Sequence, residues 1–201
     1  MPPSVAVVTD STAYLDPKPA AQHDVVVIPL QVTAGGRTID DTVDLGPDPA
    51  ALLRAWYPVT TSRPSPERFA RAYAEAAERG ATGVVSIHLS GEMSGTVDAA
   101  RLAAADAPLP VEVIDSRSIG MGLGFPVLAA ARAARAGLPL AEVAEAARRH
   151  MAALRSLFYV DTLEYLRRGG RIGAAASLLG SALAIKPLLH IADGVVAPLE
   201  K

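Results

Sequence analysis

Hydroxyl groups set beside glycines and one guanidinium carry most of the chemical potential of this sequence. Thr60-Thr61-Ser62-Arg63-Pro64 packs three hydroxyls next to an arginine. Ser90-Gly91-Glu92-Met93-Ser94-Gly95-Thr96 interleaves three more with glycine. The first stretch offers donors without an acceptor-only group, which suits a carboxylate or a phosphate; as a bare pattern it is also a polar loop with a helix cap. The second follows the β-branched run Val84-Val85-Ser86-Ile87 and precedes an Ala/Arg/Leu segment, so it links a buried strand to a helix. A helix start leaves backbone N–H groups free and carries partial positive charge, which favours an anion, and Ser94 and Thr96 would add two donors. The competing reading makes Ser94 or Thr96 an ordinary N-cap.

Other polar clusters also fall at strand ends. Thr9-Asp10-Ser11-Thr12 closes the apolar run Val5–Val8, at the end of a parallel strand where ligands bind, although its side chains could equally satisfy a local turn. Asp115-Ser116-Arg117-Ser118 closes Val111–Ile114. Asp40, Asp41 and Asp44 could bind a divalent cation, but they lack the EF-hand spacing and read as a solvated acidic loop. Gly120-Met121-Gly122-Leu123-Gly124 places glycine at alternate positions inside a helical stretch, each costing about 1 kcal/mol against alanine. That cost implies a close neighbour, either another helix or a ligand, so Asp10, Ser11, Gly120, Met121 and Gly122 are candidate pocket residues. His88 beside the central loop could act as base for Ser90 or Ser94, and with a loop serine or aspartate it would make a phosphotransfer or hydrolytic enzyme, or it could be a satisfied strand-end histidine. No G-x-S-x-G, H-E-x-x-H, G-x-G-x-x-G or G-x-x-x-x-G-K-[ST] motif occurs. The donor-rich loops favour binding over turnover.

These loops need strands and helices to hold them. Val5–Val8, Val25 through Val32, Val84–Ile87 and Val111–Ile114 read as strands of a mostly parallel sheet flanked by helices, an α/β fold. Helices are expected from Asp16, from Asp48-Pro49 through Leu52, Leu53 and Trp56, from Ser65-Pro66, and over Leu138 to Leu154. The character then changes. Leu157–Val160 is a strand, the basic turn Arg167-Arg168-Gly169-Gly170-Arg171 follows, and an Ala/Leu helix runs to about Leu183. After Lys186-Pro187, Leu188–Ile191 and Val195–Leu199 flank Ala192-Asp193-Gly194, a hairpin signal. Residues 1–155 are thus expected to form an α/β lobe, and 156–201 the beginning of a second, apparently truncated, α+β lobe.

The 201 residues are half apolar but only 4% aromatic, so the core must be Ala, Val, Leu and Ile. A net charge of −2 gives no electrostatic reason to expect nucleic acid. Without cysteine there is no disulfide, thiol chemistry or Cys-ligated zinc. Met1-Pro2-Pro3-Ser4 does not open a signal peptide, and no apolar run is long enough to span a membrane. A cytoplasmic protein is expected, with at most transient contact at the membrane surface, no metal and no cofactor.

Taken in order, VAVVTDST, TTSRPSP, HLSGEMSGT, VIDSRSIGMGLG and DTLEYLRRGGRIG resemble the DegV family over Val5 to Lys201. These are fatty-acid-binding proteins that present acyl chains to a bacterial fatty acid kinase. The resemblance implies two α/β lobes, a buried acyl chain, and a carboxylate held by Thr61 and Ser94, with Ser62, Gly95 and Thr96 as close neighbours. It also implies that the catalytic subunit of the kinase phosphorylates the bound carboxyl group, so this chain carries a long-chain fatty acid and performs no phosphoryl transfer. Arg167, Arg168 and Arg171 would then be a partner surface for an acidic or phosphate-bearing group, or else a solvated basic turn. Three departures stand out: Glu92-Met93 within the family's S-S-G-L-S-G-T loop, Arg63 in place of a common Gln, and family members that continue beyond this C-terminus. A non-binding fragment is the reading that the last departure leaves open.

Overall fold

A computed structural model describes residues 5–34, 36–41, 59–178 and 187–199. Its centre is a four-stranded parallel sheet of β1 (Val5–Asp10), β2 (Val25–Ile28), β6 (Gly83–His88) and β7 (Val111–Asp115), in the order β2-β1-β6-β7. The central strands are continuous apolar runs because helices cover both faces. On one face, α2 (Pro66–Glu78) and α3 (Thr96–Ala104) pack Phe69, Ala72, Tyr73, Ala76, Ala99 and Ala100 against Val8, Ile28 and Val84. On the other, α4 (Met121–Arg135) and α5 (Leu140–Ala153) pack Leu123, Val127, Val143 and Ala147 against Val5, Val7, Val85 and Ile87. The strict alternation of Val84 and Val85 between these two clusters is the period-2 signature of a strand. Alanine-rich contact surfaces on α4 and α5 offset the scarcity of aromatics, since small side chains let helices approach closely. A short helix, α1 (Pro17–Gln22), begins with Pro17 at its first position and connects β1 to β2.

The chain leaves β1 toward β2 on one side and returns to β6 on the other. The boundary between β1 and β6 is therefore a topological switch point, where the carboxyl ends of the strands open a crevice. Asp10, His88 and the loops after them stand there.

Between β2 and β6 lies a unit that the sequence reading missed. Rather than one strand from Val25 to Val32, the chain breaks after Ile28, because Pro29 supplies no N–H to continue the ladder on β1. It restarts as β3 (Gln31–Ala34), which pairs antiparallel with β4 (Arg37–Asp40) and with β5 (Thr60–Ser62), in the order β4-β3-β5. The expected polar loop at 60–62 is thus a strand. Asp44 and the helix expected over Asp48 to Trp56 lie outside the described residues. Asp40 pairs with Arg68 at 2.9 Å, and Asp41 accepts a bond from Ser11 Oγ at 2.9 Å. Among the described residues no group of His, Asp or Glu is arranged to hold a metal ion.

The remainder builds a three-stranded antiparallel sheet, β10-β9-β8, from β8 (Leu157–Tyr159), β9 (Leu188–Ala192) and β10 (Val195–Pro198). The Asp-Gly hairpin forms as expected, with Asp193 at φ 51° and Gly194 at φ 83°, the positive pair of a type I′ turn. The Ala/Leu helix expected to reach Leu183 is instead a 3-10 helix over Gly173–Leu178, and residues 179–186 lie outside the described set. Gly173 explains the change: it takes φ 53° and its Cα abuts the Val196 backbone, a contact no straight α-helix start would make. The cluster under this sheet includes Leu163, Ala175, Leu189 and Val196, and also Met93 from the loop after β6. No helix among the described residues is long and apolar enough to cross a membrane.

Candidate functional site

At the end of β1, the Asp10 carboxylate is fully buried and accepts four bonds. Oδ1 takes the Thr12 amide at 3.0 Å and the Thr12 hydroxyl; Oδ2 takes the Leu89 amide and His88 Nδ1, each at 3.0 Å. A carboxylate only accepts, so Nδ1 of His88 is the donor. Nε2 is hydrogen-bonded to Ser86 Oγ at 2.7 Å, and Ser86 Oγ in turn to the Tyr73 hydroxyl at 2.9 Å. Burial pushes Tyr73 up to about 12. Phe69 closes this chain from the side, edge-on to the His88 ring at 5.1 Å between centroids. Asp10, Ser86, His88 and Tyr73 thus form one satisfied polar line beneath α2, wholly shielded from solvent. Its signal in the sequence was Ser86 and His88 two apart in a buried strand, hence on one face and in need of partners.

This line takes His88 away from Ser90 and Ser94, for which it was a candidate base, and gives it Asp10 as its acidic partner. Both its ring nitrogens are committed, to Asp10 and to Ser86, and neither meets a loop serine. Ser90 turns the other way, donating to Gly194 O at 2.7 Å. What the line does is hold Leu89, and so aim the loop that starts there.

The loop over residues 90–96 ends at α3, whose N-cap is Gly95 and makes no side-chain capping bond. Neither Ser94 nor Thr96 is therefore the cap; their hydroxyls bond each other at 2.9 Å. Thr61 and Ser62 stand exposed on β5, with Ser62 Oγ donating weakly to Gln31 Oε1 at 3.4 Å. Arg63 joins the two stretches. A Cβ at Gly95 would lie 2.5 Å from Arg63 Nη1 and 3.2 Å from its Cδ, so the guanidinium lies across the Gly95 backbone. Residues more than thirty positions apart thus meet at the carboxyl end of the sheet, through the contact of Arg63 with Gly95.

The remaining candidates are placed around this point as support. Ser11 Oγ accepts from the Leu30 amide while donating to Asp41. The Gly120 amide donates to Thr12 O at 2.8 Å, and its φ of 62° lets it start α4. Gly122 faces the Ser118 and Ser156 hydroxyls, which are 3.1 Å apart, and leaves no room for a Cβ there. Met121 is partly exposed. Glu92 lays its stem over Gly194. A cavity of about 230 Å³ lies elsewhere, at the amino ends of β1 and β2, lined by Val5, Val7, His23, Arg79 and Arg135. In the basic turn, Arg167 and Arg168 both clasp Glu164, at 2.7 and 2.6 Å, within α6 (Glu164–Arg168), and hold its carboxyl down at about 2. Arg171 donates to Met93 O at 3.0 Å. The three arginines are thus engaged within the chain.

The model of the DegV family, described as an uncharacterised protein of that family, matches residues 4–201. The chain belongs to the DegV family. A DegV domain-containing protein of Streptomyces coelicolor is 52% identical over 198 residues, covering 98% of this chain and 70% of the relative. A DegV family protein of Thermus thermophilus, known for fatty acid binding, superposes with a TM-score of 0.89 at 38% identity, over 98% of this chain and 71% of that one. DegV of Bacillus subtilis, a fatty acid binding protein, gives 0.87 at 33% identity with the same coverage. A stearic-acid-binding protein of Eubacterium ventriosum gives 0.81 at 28% identity, over 96% of this chain and 69% of that one. DegV proteins of this fold thus bind fatty acids, and the α/β architecture is that of the family.

Proposed function

We propose that this chain is a lipid carrier that binds a long-chain fatty acid, with the carboxylate held by Thr61 and Ser94 and flanked by Ser62, Gly95 and Thr96. The observation that carries this reading is the contact of Arg63, next to Thr61 and Ser62 in the chain, with Gly95, next to Ser94 and Thr96, whose hydroxyls are free of capping duty. Asp10, Ser11, Gly120, Met121 and Gly122 are the candidate pocket residues of this reading. The fatty acid binding of DegV proteins of the same fold favours an acyl ligand over a phosphate ester. In this reading residues 1–155 carry the head-group site and 156–201 open the second lobe. The carrier works in the cytoplasm, touching membranes transiently, and presents its ligand to the catalytic subunit of a fatty acid kinase, which forms the acyl phosphate. That partner reaches the Arg167–Arg171 turn by displacing Glu164.

Magnitudes divide the labour between tail and head. Burying about 14 methylenes at about 0.8 kcal/mol each supplies roughly 11 kcal/mol. Association costs of about 4–15 kcal/mol remove much of that. Desolvating the carboxylate costs several kcal/mol more, which hydroxyl bonds of about 1.5–3 kcal/mol each offset. The tail drives affinity, and the hydroxyls decide where the head emerges. Thr61→Ala and Ser94→Ala are each expected to weaken fatty acid binding by about tenfold, read by titration with a fluorescent long-chain fatty acid. Unchanged affinity in both variants removes them from the site. Native mass spectrometry of the protein purified from cells checks the ligand itself, since a carrier retains a fatty acid mass. Formation of acyl phosphate by the kinase subunit, dependent on this chain, tests the presentation step.

A further inference from the structure

We infer that Arg63 is the counter-ion of the head group, so that this chain selects the ionised carboxylate over uncharged acyl ligands of equal length. The inference rests on the fatty-acid reading and adds a charge to a site otherwise built from hydroxyls.

Arg63 precedes Pro64, which restricts its backbone to extended conformations and so narrows where its side chain can go. The guanidinium settles across Gly95, where only glycine leaves space: a Cβ there would stand 2.5 Å from Nη1 and 3.4 Å from Cζ. Arg63 is exposed, and among the described residues it makes no ion pair, as Arg71, Arg132 and Arg155 also make none; what sets it apart is its contact with Gly95. Glu92, in the same loop as Gly95, lays its stem over Gly194 and forms no ion pair with Arg63. Gly95 is also the N-cap of α3, so a cation is held against the positive end of a helix, an arrangement that an intervening anion would relieve. Thr61 and Ser62 adjoin Arg63 in the chain, and the Ser94–Thr96 hydroxyl pair brackets Gly95. A planar fork with two parallel N–H groups fits a carboxylate better than a point charge would.

The test compares a long-chain fatty acid with the fatty alcohol of the same length, titrated into wild type, Arg63→Gln and Gly95→Ala. Loss of the counter-ion is expected to lower the acid-over-alcohol preference by about tenfold in Arg63→Gln, since hydrogen bonds to a charged group are the stronger class. Gly95→Ala, which unseats the guanidinium without removing it, shifts the preference in the same direction. Acid binding by wild type weakens as salt rises, and that dependence flattens in Arg63→Gln. An Arg63→Gln protein that keeps the wild-type preference and salt dependence overturns the role of Arg63 and leaves the carrier reading standing. A wild type that binds neither ligand overturns both.

Discussion

Tyr73 ends the buried line that begins at Asp10, and its ionisation exposes how that line behaves. Its hydroxyl is raised to about 12 by burial, against an unfolded value near the ordinary 10.0. A raised folded value means that the stabilisation is complete below about pH 10 and is lost as pH climbs through about 12. Two units correspond to about 3 kcal/mol of linkage for a fully buried group. Tyr73→Phe is therefore expected to lower stability by about 1–3 kcal/mol at neutral pH, because buried Ser86 loses this hydrogen-bond partner, and to flatten the alkaline fall. Thermal melts between neutral and strongly alkaline pH check this, and an equally steep fall in the variant would assign the transition elsewhere. The individual residues of the line were visible in the sequence, Asp10 and His88 among them. Their pairing was not, since 78 positions separate them and only the parallel register of β1 with β6 brings them together.

At the level of elements, glycine spacing in α4 was a readable sign of close approach, but it left the neighbour open. Gly124 shows what the neighbour is: a Cβ there would meet Ala13 O at 2.6 Å and Leu15 Cδ2 at 3.2 Å. The turn after β1 therefore rests directly on this helix, and Gly124 helps set the height of Asp10 and Thr12 above the sheet. Two effects compete in Gly124→Ala. Helix propensity favours alanine by about 1 kcal/mol. Overlap with a backbone carbonyl, which cannot swing aside as a side chain would, costs about 1–3 kcal/mol or more. The clash is expected to win, giving a lower melting temperature and a shifted Thr12 environment, read by calorimetry and amide chemical shifts. A stabilised Gly124→Ala protein would mean that α4 and the turn are free to separate. The parallel strands were legible for a plain reason: each is a continuous apolar run that only a doubly covered sheet accommodates. β3, β4 and β5 were not, because they are short, polar and paired across the chain, and Thr60–Ser62 on its own is indistinguishable from a loop.

Across the whole molecule, the loop after β6 and the β9–β10 hairpin behave as one joint. Ser90 Oγ donates to Gly194 O, Arg117 Nη2 donates to Asp193 O at 2.7 Å, and Arg171 reaches back to Met93 O. Met93 itself is buried in the cluster beneath the antiparallel sheet. The Asp-Gly turn was legible as a hairpin, yet nothing local announced that it would dock beside the loop after β6, the proposed head-group loop, a contact spanning 104 positions. The Ser90 hydroxyl is fully buried, so Ser90→Ala removes its bond and leaves the Gly194 carbonyl without that donor, costing about 1–3 kcal/mol. If the joint is one cooperative unit, that cost appears at both of its sides. Hydrogen exchange in Ser90→Ala is then expected to quicken over residues 89–95 and over 188–198 together, while β1 and β7 keep their protection. Fatty acid affinity should fall in the same variant, because Ser94 and Gly95 belong to the loosened segment. Faster exchange confined to 89–95 would show that the hairpin stands on its own, and would detach the second sheet from the control of the head-group site.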